Sequence, residues 1–110
     1  MQPDSWPAIE AEIERIIRVT VEEPFDRDTI ANAHELLRFA RERCPIPSIN
    51  KGKWSTICFS WDHPALEVEV FGNRFEVYRF YDRRTDIKEV RHTPGNTFPQ
   101  GLAAELPSRD

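Results

Sequence analysis

An α+β fold follows from three features of these 110 residues. Apolar residues recur every three or four positions through the first 44 residues, the period of helices with one buried side. After residue 53 the period drops to two, as in half-buried strands. Between two such alternating runs stands Gly72-Asn73, a pair suited to folding one strand back on the next. The expected architecture is two N-terminal helices packed on a three- to four-stranded antiparallel meander, closed by a short C-terminal helix.

The first helix reads from Trp6 to Arg18. Asp4 or Ser5 can cap it, and Pro7 is tolerated in the first turn, whose N–H groups lack partners anyway. Trp6, Ile9, Ile13, Ile16 and Ile17 form the apolar stripe, with Glu10, Glu12, Glu14 and Arg15 opposite. Pro24 in "VTVEEPF" breaks the pattern. A second helix starts at Asp26, with Phe25 and Ile30 placed to staple its first turn. Ile30, Ala33, Leu36, Leu37, Ala40 and Cys44 make its stripe, and His34 lies at the boundary. Pro45 and Pro47 then stop the helix and impose an extended linker, "CPIPSINKGK".

In "WSTICFSW", Ile57, Phe59 and Trp61 share one face, and "DHPA" turns the chain. The run "LEVEVFGNRFEVYRF" pairs Val70 with Phe75 and Val68 with Val77 on a buried face. Its other face carries Glu67, Glu69, Phe71, Arg74, Glu76, Tyr78 and Phe80. Glu69 falls opposite Glu76, a like-charge pair that Arg74 can relieve from the diagonal. Gly72 is expected to take a positive φ in the turn. "YDRRTD" is a polar turn, and "IKEVRH" reads as an edge strand guarded by Lys88 and Arg91. Phe98, Leu102 and Leu106 recur at four, which suggests the closing helix, and "PSRD" is expected to fray.

Residues 36–78, "LLRFARERCPIPSINKGKWSTICFSW" and "LEVEVFGNRFEVY", combine a helix, a PxP linker, a glycine, a tryptophan-ended strand and a hairpin. The order resembles a pattern seen in small uncharacterised bacterial proteins, with "NKGK" in place of the more usual diglycine turn. The resemblance is one of architecture and implies no activity.

The chain has the length of one domain, residues 1–110, and room for one core. Its apolar runs fall far short of the ~20 residues that span a bilayer. The start, "MQPDSWPAIEAEIER", has neither a basic segment nor an apolar stretch of the signal-peptide kind, so a cytoplasmic location is expected. Cys44 and Cys58, without CxxC spacing, read as reduced, buried thiols. Residues 1–30 carry eight acids against three arginines, a net of −5, whereas residues 79–92 carry five bases and three acids, a net of +2. The whole chain stands at −4, which opposes non-specific attraction to a polyanion.

Three chemistries compete. For metal binding, His34, His63, His92, Cys44 and Cys58 are available, but no HExxH, CxxC or HxH spacing gathers them, so no metal or cofactor is expected. For catalysis, Asp62-His63 with Cys58 or Ser60 lacks a group to orient the histidine and an anion cradle, and Asp-His-Pro is itself a good turn. For binding, "FEVYRFYDRRTD" sets Phe75, Tyr78, Phe80 and Tyr81 beside Arg79, Arg83 and Arg84. Aromatics and arginine dominate interface hot spots, and carboxylates on the same face repel phosphate but suit a basic protein. The expectation is therefore a non-enzymatic protein-binding domain acting through Phe71, Arg74, Tyr78, Phe80, Arg83 and Arg84. Its size and charge are comparable to those of immunity proteins, antitoxins and phage-encoded inhibitors. The alternative is a nucleic-acid module using Arg79, Arg83, Arg84, Lys88 and Arg91, and a small enzyme stands third. Cover of Tyr78 and Phe80 by the C-terminal helix would abolish the patch.

Overall fold

The computed structural model describes residues 3–109. Helix α1 spans Trp6–Val19 and α2 spans Arg27–Arg43. Five strands follow, β1 (Ser48–Lys51), β2 (Ile57–Asp62), β3 (Ala65–Val70), β4 (Arg74–Phe80) and β5 (Thr85–Arg91), and then a single helical turn, α3 (Gln100–Ala103). All neighbouring strands are antiparallel and the sheet runs β1-β2-β3-β4-β5.

Both long helices begin where their caps dictate. The Ser5 hydroxyl accepts the Ala8 N–H at 3.3 Å, and the Asp26 carboxylate accepts the Asp28 and Thr29 N–H groups at 2.7 and 3.0 Å. Each cap satisfies donors that the helix itself leaves unpaired. Behind the Asp26 cap, Phe25 is buried and Ile30 packs on the core, in the positions of a staple. Ile9, Ile13 and Ile16 of α1 and Ala33, Leu36, Leu37 and Ala40 of α2 point into one core. From the sheet they meet Ile57, Phe59, Trp61, Leu66, Val68, Val70, Phe75, Val77 and Val90, all on the same face. Burying each large side chain of this kind stabilises the fold by about 1.5–3 kcal/mol.

The hairpin register is the one the alternation implies. Val70 pairs with Phe75, Val68 with Val77 and Glu69 with Glu76. Gly72, however, has no positive φ, the only such residue among those described being Gly95 at +93°. The reason for glycine at 72 is crowding: a Cβ there would meet the two Asp26 carboxylate oxygens at 3.0 and 3.2 Å and Asp28 Cβ at 3.3 Å. The turn lies against the N-terminus of α2, and Asn32 of that helix donates to the Phe71 carbonyl at 2.9 Å.

Three other expectations change. The proline-rich linker contains a fifth strand, because the extended backbone that the prolines impose pairs Ile49 with Phe59 and buries Ile49 in the core. The closing helix shrinks to the one turn Gln100–Ala103. Phe98 precedes that turn and stacks on Phe39 at 4.2 Å, so the spacing of four there records packing more than helix. The tail does not fray through Arg109. Its N–H donates to the Arg43 carbonyl at 2.9 Å, and its guanidinium donates to the Arg41 and Glu42 carbonyls at 3.3 and 2.6 Å. A cation thereby satisfies orphan carbonyls at the negative end of α2. Asp110 lies outside the described residues.

Candidate functional site

Helices and C-terminal segment alike lie on the core side of the sheet. Arg79 and Lys88 project to that side, Arg79 onto the Glu105 carbonyl and carboxylate at 3.1 and 3.2 Å and Lys88 onto the Gly101 carbonyl at 3.2 Å. The C-terminal segment therefore covers Val77 and its neighbours and leaves Tyr78 and Phe80 uncovered on the opposite face. Alternation in a strand makes this division strict, since successive side chains point to opposite faces.

The uncovered face is built from two rows that cross all five strands. One runs Asn50, Cys58, Glu69, Glu76, Glu89, and the next runs Ser48, Ser60, Glu67, Tyr78, Ile87. Three carboxylates thus stand side by side in the first row. Arg74 answers them at 2.9 Å from Glu76 and 3.8 Å from Glu89, and Arg91 lies 3.5 Å from Glu89. Glu69 accepts the Thr56 hydroxyl at 2.6 Å and Glu67 the Ser60 hydroxyl at 3.1 Å, but neither forms an ion pair among the described residues. The β2–β3 half of the face is consequently the more negative.

These partners set the protonation of the face. Burial pushes the Glu76 carboxyl up, but hydrogen bonds from Tyr78 and Arg74 and the Arg74 charge outweigh it and hold it below the usual range. Tyr78 is itself pushed up, chiefly by donating to Glu76 at 2.7 Å, then by burial and the nearby carboxylates. Cys58 is pushed up to about 12 by burial first and by the Glu67 and Glu69 charges second. The thiolate is the nucleophile, so Cys58 in this setting is an inert thiol.

The six residues expected to bind divide between two ends of the face. At the β3–β4 turn the Arg74 guanidinium lies over the Phe71 ring at 3.8 Å. At the β4–β5 turn Phe80 and Tyr81 are 45% and 46% exposed, and the Arg84 guanidinium covers Tyr81 at 4.3 Å while holding Asp86 at 3.1 Å. Arg83 is exposed and has no polar partner among the described residues. Strand β4 separates the two clusters by about 20 Å at its ordinary rise, with Tyr78 between them. The five basic residues of the nucleic-acid alternative do not converge: Arg79 and Lys88 face the C-terminal segment, Arg91 pairs with Glu89, and only Arg83 and Arg84 share the turn.

Two residues carry more than their sequence context suggested. Ile87, 65% exposed, stands opposite Tyr78 and diagonal to Phe80, which makes the corner of the face apolar. Alternation from Val90 puts positions 88 and 86 on the core side and so would have placed Ile87 on the open one. His92 is buried against the Phe75 and Phe98 rings at 5.5 and 6.3 Å and bonds Glu35, a partner that no local spacing reveals. Asp62 and His63 are exposed at the β2–β3 turn, and among the described residues no three His, Cys, Asp or Glu side chains are grouped to hold a metal ion. No helix among the described residues is long and apolar enough to cross a membrane. Comparison with family models, with curated proteins and with solved structures finds no match to this chain.

Proposed function

We propose that this chain works by binding another protein through the uncovered sheet face, without cofactor or catalysis, as a cytoplasmic domain of the inhibitor, immunity or antitoxin type. The observation that carries the reading is the one-sided placement of every helical element. It leaves Tyr78, Phe80 and Ile87 on a face whose β3–β5 half otherwise carries mainly carboxylates and arginines. Such a face has the composition of an interface centre, and its surplus charge at Glu67 and Glu69 selects a partner with a basic patch. Phe80 and Tyr78 serve as anchors, Phe71 and Arg74 extend the contact to the far turn, and Arg83 and Arg84 act at the rim.

The test is capture from cell extract with and without nuclease, followed by titration of the purified partner. A basic protein should be captured whether or not nuclease is present. Phe80→Ala should keep its thermal midpoint but bind about thirty-fold more weakly, the size of a hot-spot loss. Glu67→Gln with Glu69→Gln should slow association and flatten its salt dependence. Capture of nucleic acid alone overturns the reading, as does unfolding by Phe80→Ala.

A further inference from the structure

Strand β5 has an unused edge. Its bonds to β4 follow from the two closing contacts, Tyr81 N–H to the Arg84 carbonyl at 2.8 Å and His92 N–H to the Asn73 carbonyl at 3.1 Å. Antiparallel pairs alternate between bonded and non-bonded, so Asp86, Lys88 and Val90 spend their backbone groups on β4. Those of Thr85, Ile87, Glu89 and Arg91 point away from the sheet, and no backbone bond to them exists among the described residues. The edge has no proline and no bulge, and only its charged side chains guard it. The Lys88 ammonium rests on Gly101 and Glu105 at 3.2 and 3.6 Å but is half exposed, within reach of a strand laid along this edge. Ile87 is 65% exposed in the middle of the free edge.

We propose that β5 pairs with β5 of a second copy of this chain, antiparallel about a two-fold axis through Ile87. The charges of the strand and the number of pairs it can form together select the partner and the register. Outward-pointing residues must stand opposite one another, which allows the axis to pass through only a few positions. Through Lys88 it would set Lys88 against Lys88, and through Asp86 it would set Asp86 against Asp86, like charges directly opposed. Through Glu89 it would oppose two carboxylates, and through Val90 it would match Glu89 with Arg91 but leave only two bonded pairs within the strand, against three through Ile87. Through Ile87 it sets Ile87 on Ile87, Asp86 against Lys88 twice and Thr85 against Glu89 twice. A strand that carries both members of the ion pair, one on each side of an apolar centre, is complementary to itself, as a two-fold interface requires. Three bonded pairs then supply about six backbone hydrogen bonds. The two Ile87 side chains join the Phe80 and Tyr78 rings of both copies into one apolar strip, and the five-stranded sheet doubles. This assembly is separate from the binding of another protein on the open face and does not rest on it.

Purified protein alone tests the proposal. Sedimentation over a concentration series should show the 12.9 kDa chain rising to twice that mass. Bonded antiparallel pairs place Cα atoms about 5.5 Å apart, within disulfide reach. Oxidised Ile87→Cys should therefore cross-link into a covalent dimer several-fold faster than Thr85→Cys, while the buried Cys44 and Cys58 stay silent. Lys88→Asp should weaken the dimer at least ten-fold, and adding Asp86→Lys should restore it, because the swap keeps the charges opposite. A chain monomeric at every concentration overturns the proposal. So does equal cross-linking from positions 85 and 87, or a charge swap that fails to rescue while circular dichroism shows the native fold.

Discussion

His92 Nε2 lies 2.8 Å from Glu35 Oε1, which ties the end of β5 to α2 across 57 residues of chain. The other Glu35 oxygen accepts the Gly95 N–H at 2.7 Å, so one carboxylate fastens both the strand and the loop that follows it. The arrangement buries a polar ring among Phe75 and Phe98, and only the carboxylate makes that burial tolerable.

This pair should make stability depend on acid. Burial pushes Glu35 up, but bonds from His92 and Gly95 and the charges of His92 and Arg38 hold its carboxyl below its ordinary 4.5. A group depressed on folding stabilises the fold above its unfolded value, and the contribution is lost as pH falls through the folded value. Glu35→Gln should cost about 1.5–3 kcal/mol in urea denaturation at neutral pH, the worth of hydrogen bonds to a charged group. The gap between variant and parent should close in strongly acidic buffer. A gap that is the same at both ends of the pH range would show that Glu35 acts by packing alone.

Gly72 and Asp26 should be coupled. Adding a methyl at 72 pushes on the carboxylate that caps α2, so Gly72→Ala should cost about 0.5–2 kcal/mol, the range of a lost cap. Asp26→Ala should cost a similar amount. The double variant should then be less damaging than the sum, because the second change removes the atoms that the first one strikes. Strict additivity in thermal or denaturant melts would place the cost of Gly72→Ala in the turn itself.

The thiols should be slow. With Cys58 pushed up to about 12 and Cys44 pushed up by burial against the weaker pull of Arg109 and Arg43, neither forms much thiolate near neutrality. A thiol reagent at pH 8 should label the native chain at least a hundred-fold more slowly than the urea-unfolded chain. Glu67→Gln with Glu69→Gln should bring the Cys58 rate up without moving that of Cys44. Prompt labelling of Cys58 in the folded parent would return it to consideration as a nucleophile.

What the sequence by itself determined is everything decided within a few residues of chain. The Ser5 and Asp26 caps, the isoleucine stripe of α1 and the Val70–Phe75 register are each set by a side chain and its near neighbours, through helical spacing, strand alternation and a short turn. The rows of carboxylates and aromatics on β3 and β4 were legible for the same reason. Tertiary structure decided what depends on distant partners. The proline linker became β1 only because β2 offered it a free edge, and Gly72 was needed because the hairpin turn comes to rest on the cap of α2. Which face the C-terminal segment covers, and so whether Phe80 is open, turned on Lys88 and Arg79 reaching Gly101 and Glu105. Hydrogen bonds and ion pairs between segments far apart in the chain leave no periodic trace in it, since they constrain positions in space rather than spacing along the sequence.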